Sequence, residues 1–152
     1  MSTTKTIPAE AVQLADLTFK LLANCQEKEN RLAEQYGLTQ AEFRCLRLFG
    51  THSSSNNKQI AERMNLSPSR LTRIIDGLVK KNYMIREIDS EDRRNMKVTL
   101  SQNGAEIVER LNNAYIGIHK EILDEIEDTQ HKPLITAMTH LLSALEKWIA
   151  RT

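Results

Sequence analysis

The stretch that most constrains this chain runs from Asn57 to Leu100, NKQIAERMNLSPSRLTRIIDGLVKKNYMIREIDSEDRRNMKVTL. Ile60, Ala61 and Met64 predict a short helix, and Asn65 stands where the following turn needs a positive φ. Ser67-Pro68 starts a second helix, with Ser67 as cap and Pro68 at the first helical position. Leu71, Ile74, Leu78 and Val79 form its expected inward stripe, and Asn82 ends it. Tyr83–Asp89 alternates loosely and Met96–Leu100 (MKVTL) is a β-type run. The polar tip Ser90–Asn95 between them makes the pair a hairpin. Ala61, Asn65, Leu71 and Ile74 together meet the register of two short helices crossing at a tight turn. The expected centre is therefore a helix-turn-helix followed by a hairpin wing.

Long helices are expected on both sides. Pro8 to Tyr36 holds no internal Gly or Pro; Pro8 suits a first helical turn and Gly37 a left-handed end. Leu14, Leu17, Leu21, Cys25 and Leu32 fall near one stripe. Thr39-Gln40-Ala41-Glu42 reads as a capping box opening a helix that buries Phe43, Leu46 and Phe49. Gly50 and the run THSSSNN (Thr51–Asn57) read as a loop. Ser101 caps a helix to about Glu127 with Leu111, Tyr115, Ile118, Ile122 and Ile126 in line. After a break at Asp128-Thr129, Leu134, Met138, Leu141, Leu145 and Trp148 repeat at four, three, four and three. Both stripes resemble coiled-coil seams, so the outer helices are expected to pair two copies of the chain; an ordinary bundle within one chain is the alternative. The fold class is thus mainly α with a small β-hairpin wing. All 152 residues are expected to form one domain, the winged part at about 38–100 and the dimerisation part at about 8–36 plus 102–150.

Charge separates along the chain. Lys58–Leu100 carries ten Lys or Arg against six Asp or Glu, whereas residues 101–152 carry five against eight. One face suited to phosphate follows from that asymmetry, which the net charge of +1 hides. There is no apolar run near 18 residues and no apolar leader in MSTTKTIPAE, so no membrane partner is expected and the cytoplasm is the expected location.

Ser69, Arg70, Thr72, Arg73 and Asp76 point outward on the second helix, with Lys80 and Lys81 at its end. Arg matches guanine edges, and Ser or Thr bonds base or phosphate. The alternative is a solvated helix face. Asp92-Arg93-Arg94 sets two guanidinium groups at the wing tip, where Arg suits the minor groove and a carboxylate orients a neighbouring Arg; an ordinary polar turn is the alternative.

On four segments the chain resembles the MarR family of bacterial transcription regulators. They are LTQAEFRCLRLF (Leu38–Phe49), SRLTRIIDGLVKK (Ser69–Lys81), Asp92-x-Arg94 and VTLSQNG (Val98–Gly104). Asn65 and Asn82 depart from it, standing where glycines are commoner. The resemblance implies a homodimeric repressor that reads a pseudo-palindromic operator in double-stranded DNA and responds to a small-molecule effector such as an aromatic acid. It also implies that residues 67–81 form the recognition helix, Ser67, Ser69, Arg70, Thr72, Arg73 and Lys80 facing DNA, with Arg94 in the minor groove, Asp92 holding it and Arg93 beside it. Arg73, Asp76 and Arg86 form either an ion-pair cluster or, through Arg73, a base contact. Phe19, Tyr36, Phe43, Arg44 and Tyr115 are the candidate effector-pocket residues.

No Gly-rich phosphate loop, HExxH or nucleophile–base constellation is present, so no enzyme and no cofactor are expected. Cys25 and Cys45 read as buried thiols without a redox role, and His52, His119, His131 and His140 are too scattered for a metal site. The competing readings are a winged-helix protein-interaction module that leaves DNA alone, and a redox- or metal-sensing regulator of the same fold.

Overall fold

Local signals set most element boundaries. The computed structural model describes residues 6–49, 54–88 and 96–151. Its elements run α1 (Ala9–Gln35), α2 (Gln40–Phe49), β1 (Ser54–Asn56), α3 (Asn57–Met64), α4 (Pro68–Lys80), β2 (Met84–Ile88), β3 (Met96–Leu100), α5 (Gln102–Asp124) and α6 (Asp128–Arg151). Pro8 lies just outside α1, in extended conformation with ψ 141°, rather than in its first turn. Gly37 takes φ 68° at the far end, a region closed to most side chains. The capping box closes both ways: the Glu42 amide donates to Thr39 Oγ1 at 3.1 Å, and the Thr39 amide to Glu42 Oε1 at 2.9 Å. Asn65 (φ 54°) and Asn82 (φ 65°) take the left-handed turns expected of them.

Further expectations need correction. The polar run after α2 is no plain loop: Ser54–Asn56 is a strand and Asn57 already opens α3. β1 pairs antiparallel with β3, which pairs with β2, so the wing is part of a three-stranded sheet in the order β1-β3-β2. On α4 the deepest residues are Leu71, Ile75 and Leu78, while Ile74 and Val79 are half-buried on the flanks. Steps of four and three keep Leu71, Ile75 and Leu78 within one narrow stripe, which Ile74 borders. Finally, α5 stops at Asp124 and α6 begins at Asp128. His131 Nε2 lies 2.8 Å from the Leu123 carbonyl and 2.9 Å from that of Ile126. That ring satisfies carbonyls the end of α5 leaves open, and Asp128 complements the positive start of α6.

The chain divides into two compact units, Met1–Asn112 and Asn113–Thr152. In the first, Leu32, Phe43, Leu46, Ile60, Leu71, Ile75, Leu78, Val98 and Leu111 are all at most 2% exposed and make a continuous core. Two glycines allow close approach, of a backbone at Gly104 and of a side chain at Gly77. A Cβ on Gly104 would meet the Tyr83 carbonyl oxygen at 1.9 Å, and one on Gly77 would meet Glu42 Oε2 at 2.6 Å. The start of α5 is seated there by Ser101, whose hydroxyl donates to the Asn82 carbonyl and accepts from the Gly104 amide. The N-terminal stripe is uncovered: Leu14, Leu17 and Leu21 are exposed, Cys25 is half-buried, and only Leu32 is inside. In the second unit α6 buries no residue; Met138, Leu141, Leu145 and Trp148 are exposed and Leu134 is half-buried. No helix among the described residues is long and apolar enough to cross a membrane.

Candidate nucleic-acid interface

α4 begins on a capped end. Ser67 Oγ accepts from the Arg70 amide at 3.4 Å and lies 3.3 Å from Ser69 Oγ, which leaves hydroxyls and open N–H groups at a positive helix start. Thr72 donates its hydroxyl to the Pro68 carbonyl at 2.9 Å, so its oxygen keeps accepting capacity and its methyl a fixed direction. Ser69, Arg73, Asp76 and Lys80 fall on the arc opposite Leu71, Ile75 and Leu78, and Arg70 and Thr72 lie at its two margins. Ser67, Ser69, Arg70, Thr72, Arg73 and Lys80 are all exposed. The expected DNA-facing side chains of this helix therefore share one solvent-open surface.

Two charge contacts organise that surface. Arg86 Nη2 on β2 sits 2.5 Å from Asp76 Oδ1 on α4, off the hydrogen-bonding axis. Of the cluster expected around Arg73, the structure builds the Asp76–Arg86 half and leaves Arg73 exposed outside it. Lys81 behaves differently from its neighbour Lys80. Its ammonium donates to Glu42 Oε1 at 2.7 Å and to the Gly37 carbonyl at 2.9 Å, so its head is turned back onto the α1–α2 corner while the side chain stays 38% exposed. Glu42 is 4% exposed. Sequence reasoning found Glu42 as a capping residue but missed this pairing; an acid among buried neighbours at a capping-box position was the available signal. Asp92, Arg93 and Arg94 lie outside the described residues.

The candidate effector residues separate. Phe43 and Arg44 line an open cavity of about 560 Å³ with Gln26, Arg47, Arg63 and Met64. Glu29, also at its wall, accepts from Arg44 Nε at 2.8 Å and Gln40 Nε2 at 3.0 Å. Burial pushes the Glu29 carboxyl up, but these hydrogen bonds and the charges of Arg44 and Lys28 outweigh it and leave its pKa below the ordinary value. Tyr36 is half-buried, with the Arg110 guanidinium 5.7 Å from its ring centre, and Phe19 is 77% exposed on α1. Tyr115 belongs to the second unit, its ring 4.5 Å from that of His119. Cys45 is fully buried; burial, with the Glu42 charge adding, pushes its thiol up to about 12. The described residues contain no group of three His, Cys, Asp or Glu arranged to hold a metal ion.

The profile of the MarR family matches residues 38–96, the span from the capping box to the start of β3. The HTH-type transcriptional regulator SarZ of Staphylococcus epidermidis is 31% identical over 98 residues, 64% of this chain and 66% of that protein. Residues 38–96 are a MarR-family segment. The matched stretch spans just under two thirds of that relative's length, 66%. Among solved structures, a MarR mutant from E. coli superposes with a TM-score of 0.76 at 20% identity, covering 91% of this chain and 99% of that one. The same MarR mutant complexed with operator DNA gives 0.73 at 20% identity, covering 90% and 95%. At that identity the likeness is one of fold, and it extends well beyond the matched MarR segment into the outer helices.

Proposed function

We propose that this chain is a sequence-specific DNA-binding transcription regulator, a cytoplasmic homodimeric repressor that reads a pseudo-palindromic operator and catalyses no reaction. The observation that carries the reading is the outer arc of α4, where Ser69, Arg70, Thr72, Arg73 and Lys80 lie exposed opposite a fully buried stripe. A capped helix start with Arg and hydroxyl side chains beside it suits base edges and phosphates together. The relative SarZ is named a transcriptional regulator, and a fold neighbour holds operator DNA, which supports the same reading. Arg94 with Asp92 and Arg93 completes it as a minor-groove contact from the wing tip. Exposed apolar residues on α1 and on α6 support pairing of two chains, which matches a two-fold operator with half-sites about one helical turn apart.

Selection from a random duplex library, followed by sequencing of the bound pool, tests this. An enriched pseudo-palindrome is the expected result. Binding without enrichment that vanishes at modest salt would leave only non-specific phosphate affinity and sink the regulator reading. The effector part is tested separately. A cavity with Arg44, Arg47 and Arg63 around Phe43, Leu48 and Met64 suits an acid with an apolar body. Benzoate-type acids are expected to lower DNA affinity in the wild type and to lose that effect in Arg63→Ala. An unchanged effect in the variant would move the effector elsewhere.

A further inference from the structure

A lysine closing a DNA-reading helix would ordinarily serve phosphate, and Lys80 is free to do so. Lys81 is already committed. Its ammonium reaches back to two separate chain segments, the Gly37 carbonyl just after α1 and the Glu42 carboxylate in the first turn of α2. The same Glu42 oxygen accepts the Thr39 amide, so the α1–α2 corner and the end of α4 converge on one buried atom. Gly77, one turn earlier on α4, leaves the space into which the other carboxylate oxygen fits. The last turns of α4 are thus fixed against the end of the helix that carries Leu14, Leu17 and Leu21 uncovered on its surface.

We propose that the Lys81–Glu42 pair, seated on Gly77, is a positioning brace that sets the direction of the recognition helix relative to α1, and so the half-site spacing the dimer accepts. The proposal rests on the DNA-binding reading above. Lys81 is a positioning residue and makes no phosphate contact. The Glu42 side chain is 5% exposed and that of Lys81 38%, so removing the lysine leaves a carboxylate charge in a site largely closed to water, and the pair holds one geometry while it is made. Two chains joined through α1 therefore hold their recognition helices at one separation. Loosening the brace widens that distribution and lowers affinity for the preferred spacing while phosphate attraction stays.

The test uses the full chain and duplexes built from the selected operator, with the spacer shortened or lengthened by one base pair. Lys81→Met is expected to lower affinity for the preferred spacing about tenfold, within the range of coupling between contacting residues, and to flatten the dependence on spacing. Its salt dependence should match wild type. A phosphate contact would instead reduce the slope by about 0.9 and weaken all spacings alike, which overturns the proposal. Gly77→Ala supplies a second readout, since its methyl would displace the Glu42 carboxylate while favouring the helix. The brace predicts weaker, less spacing-selective binding from this helix-favouring change; an unchanged spacing profile would refute it. If Lys81→Met fails to fold, Glu42→Gln carries the test, because it keeps an oxygen for Thr39 and removes the charge. Amide exchange separates the two readings. The Lys81, Asn82 and Tyr83 amides, bonded to Gly77, Val79 and Leu78, should exchange faster in the variants even if the wild type selects no duplex. No selection would then fail the regulator reading alone, and unchanged exchange would fail the brace.

Discussion

α4 and α6 carry apolar residues at equally regular helical steps and meet opposite fates. α4, with 13 residues, buries Leu71, Ile75 and Leu78 completely against its own chain. α6, with 24, buries nothing, and Leu145 and Trp148 stay 47% and 56% exposed. Helical periodicity states that a face will be covered; it does not state by what. In α4 the covering comes from α2, α3 and the sheet, and the outer arc is left for charge. In α6 the polar residues are no rarer, yet its apolar face is left uncovered, and the proposed covering is a second copy of the chain.

The strongest way to break this comparison is at α6. Leu145→Asp with Trp148→Asp should abolish the dimer and, because two linked half-sites become one, lower operator affinity by about 10²–10⁴-fold. Light scattering and anisotropy titration check both parts. A variant that keeps its dimeric mass would show that α6 needs no partner. Next comes the self-contained side. Leu46→Ala, in a fully buried position, should cost about 2–5 kcal/mol by denaturant unfolding, whatever happens at α6. A cost under about 1 kcal/mol would deny the winged part a tight core of its own. The mildest effect concerns Cys45. Its thiol is raised from 9.0 to about 12, so between those values the unfolded chain has released a proton the native chain retains. Stability is then fully present below pH 9 and falls as pH rises towards 12. Cys45→Ala should flatten that alkaline decline in unfolding curves, and an unaltered slope would assign it to other groups.

What was legible in the sequence is what is decided within a few residues. The Thr39–Glu42 box, the Ser67-Pro68 start, the two left-handed asparagines and the MKVTL strand are local chemistry, and each appears where expected. Ser54–Asn56 was not legible, because a short polar strand is defined by its partner Lys97–Thr99 rather than by its own propensity. Ile75 was lost to Ile74 by a phase error of one residue on a stripe only three residues wide. In the site, the outer face of α4 followed from spacing alone. The inward turn of Lys81 did not, since the charge that draws it lies 39 residues away on another helix. Candidate effector residues scattered for the same reason: aromatic side chains announce burial or a ring contact, and only Phe43 and Arg44 reach a common cavity.

The third strand also has a kinetic meaning. β2 and β3 pair across a short hairpin, whereas Ser54 must find Thr99, roughly 45 residues further on. Closing a loop of that length costs entropy before the contact rewards it, so the hairpin is available early and β1 docks late. α3 and α4 lie inside that loop. Docking of β1 is therefore the step that encloses α3 and α4 in a finished ring, and its reversal is the first opening expected when the module begins to unfold.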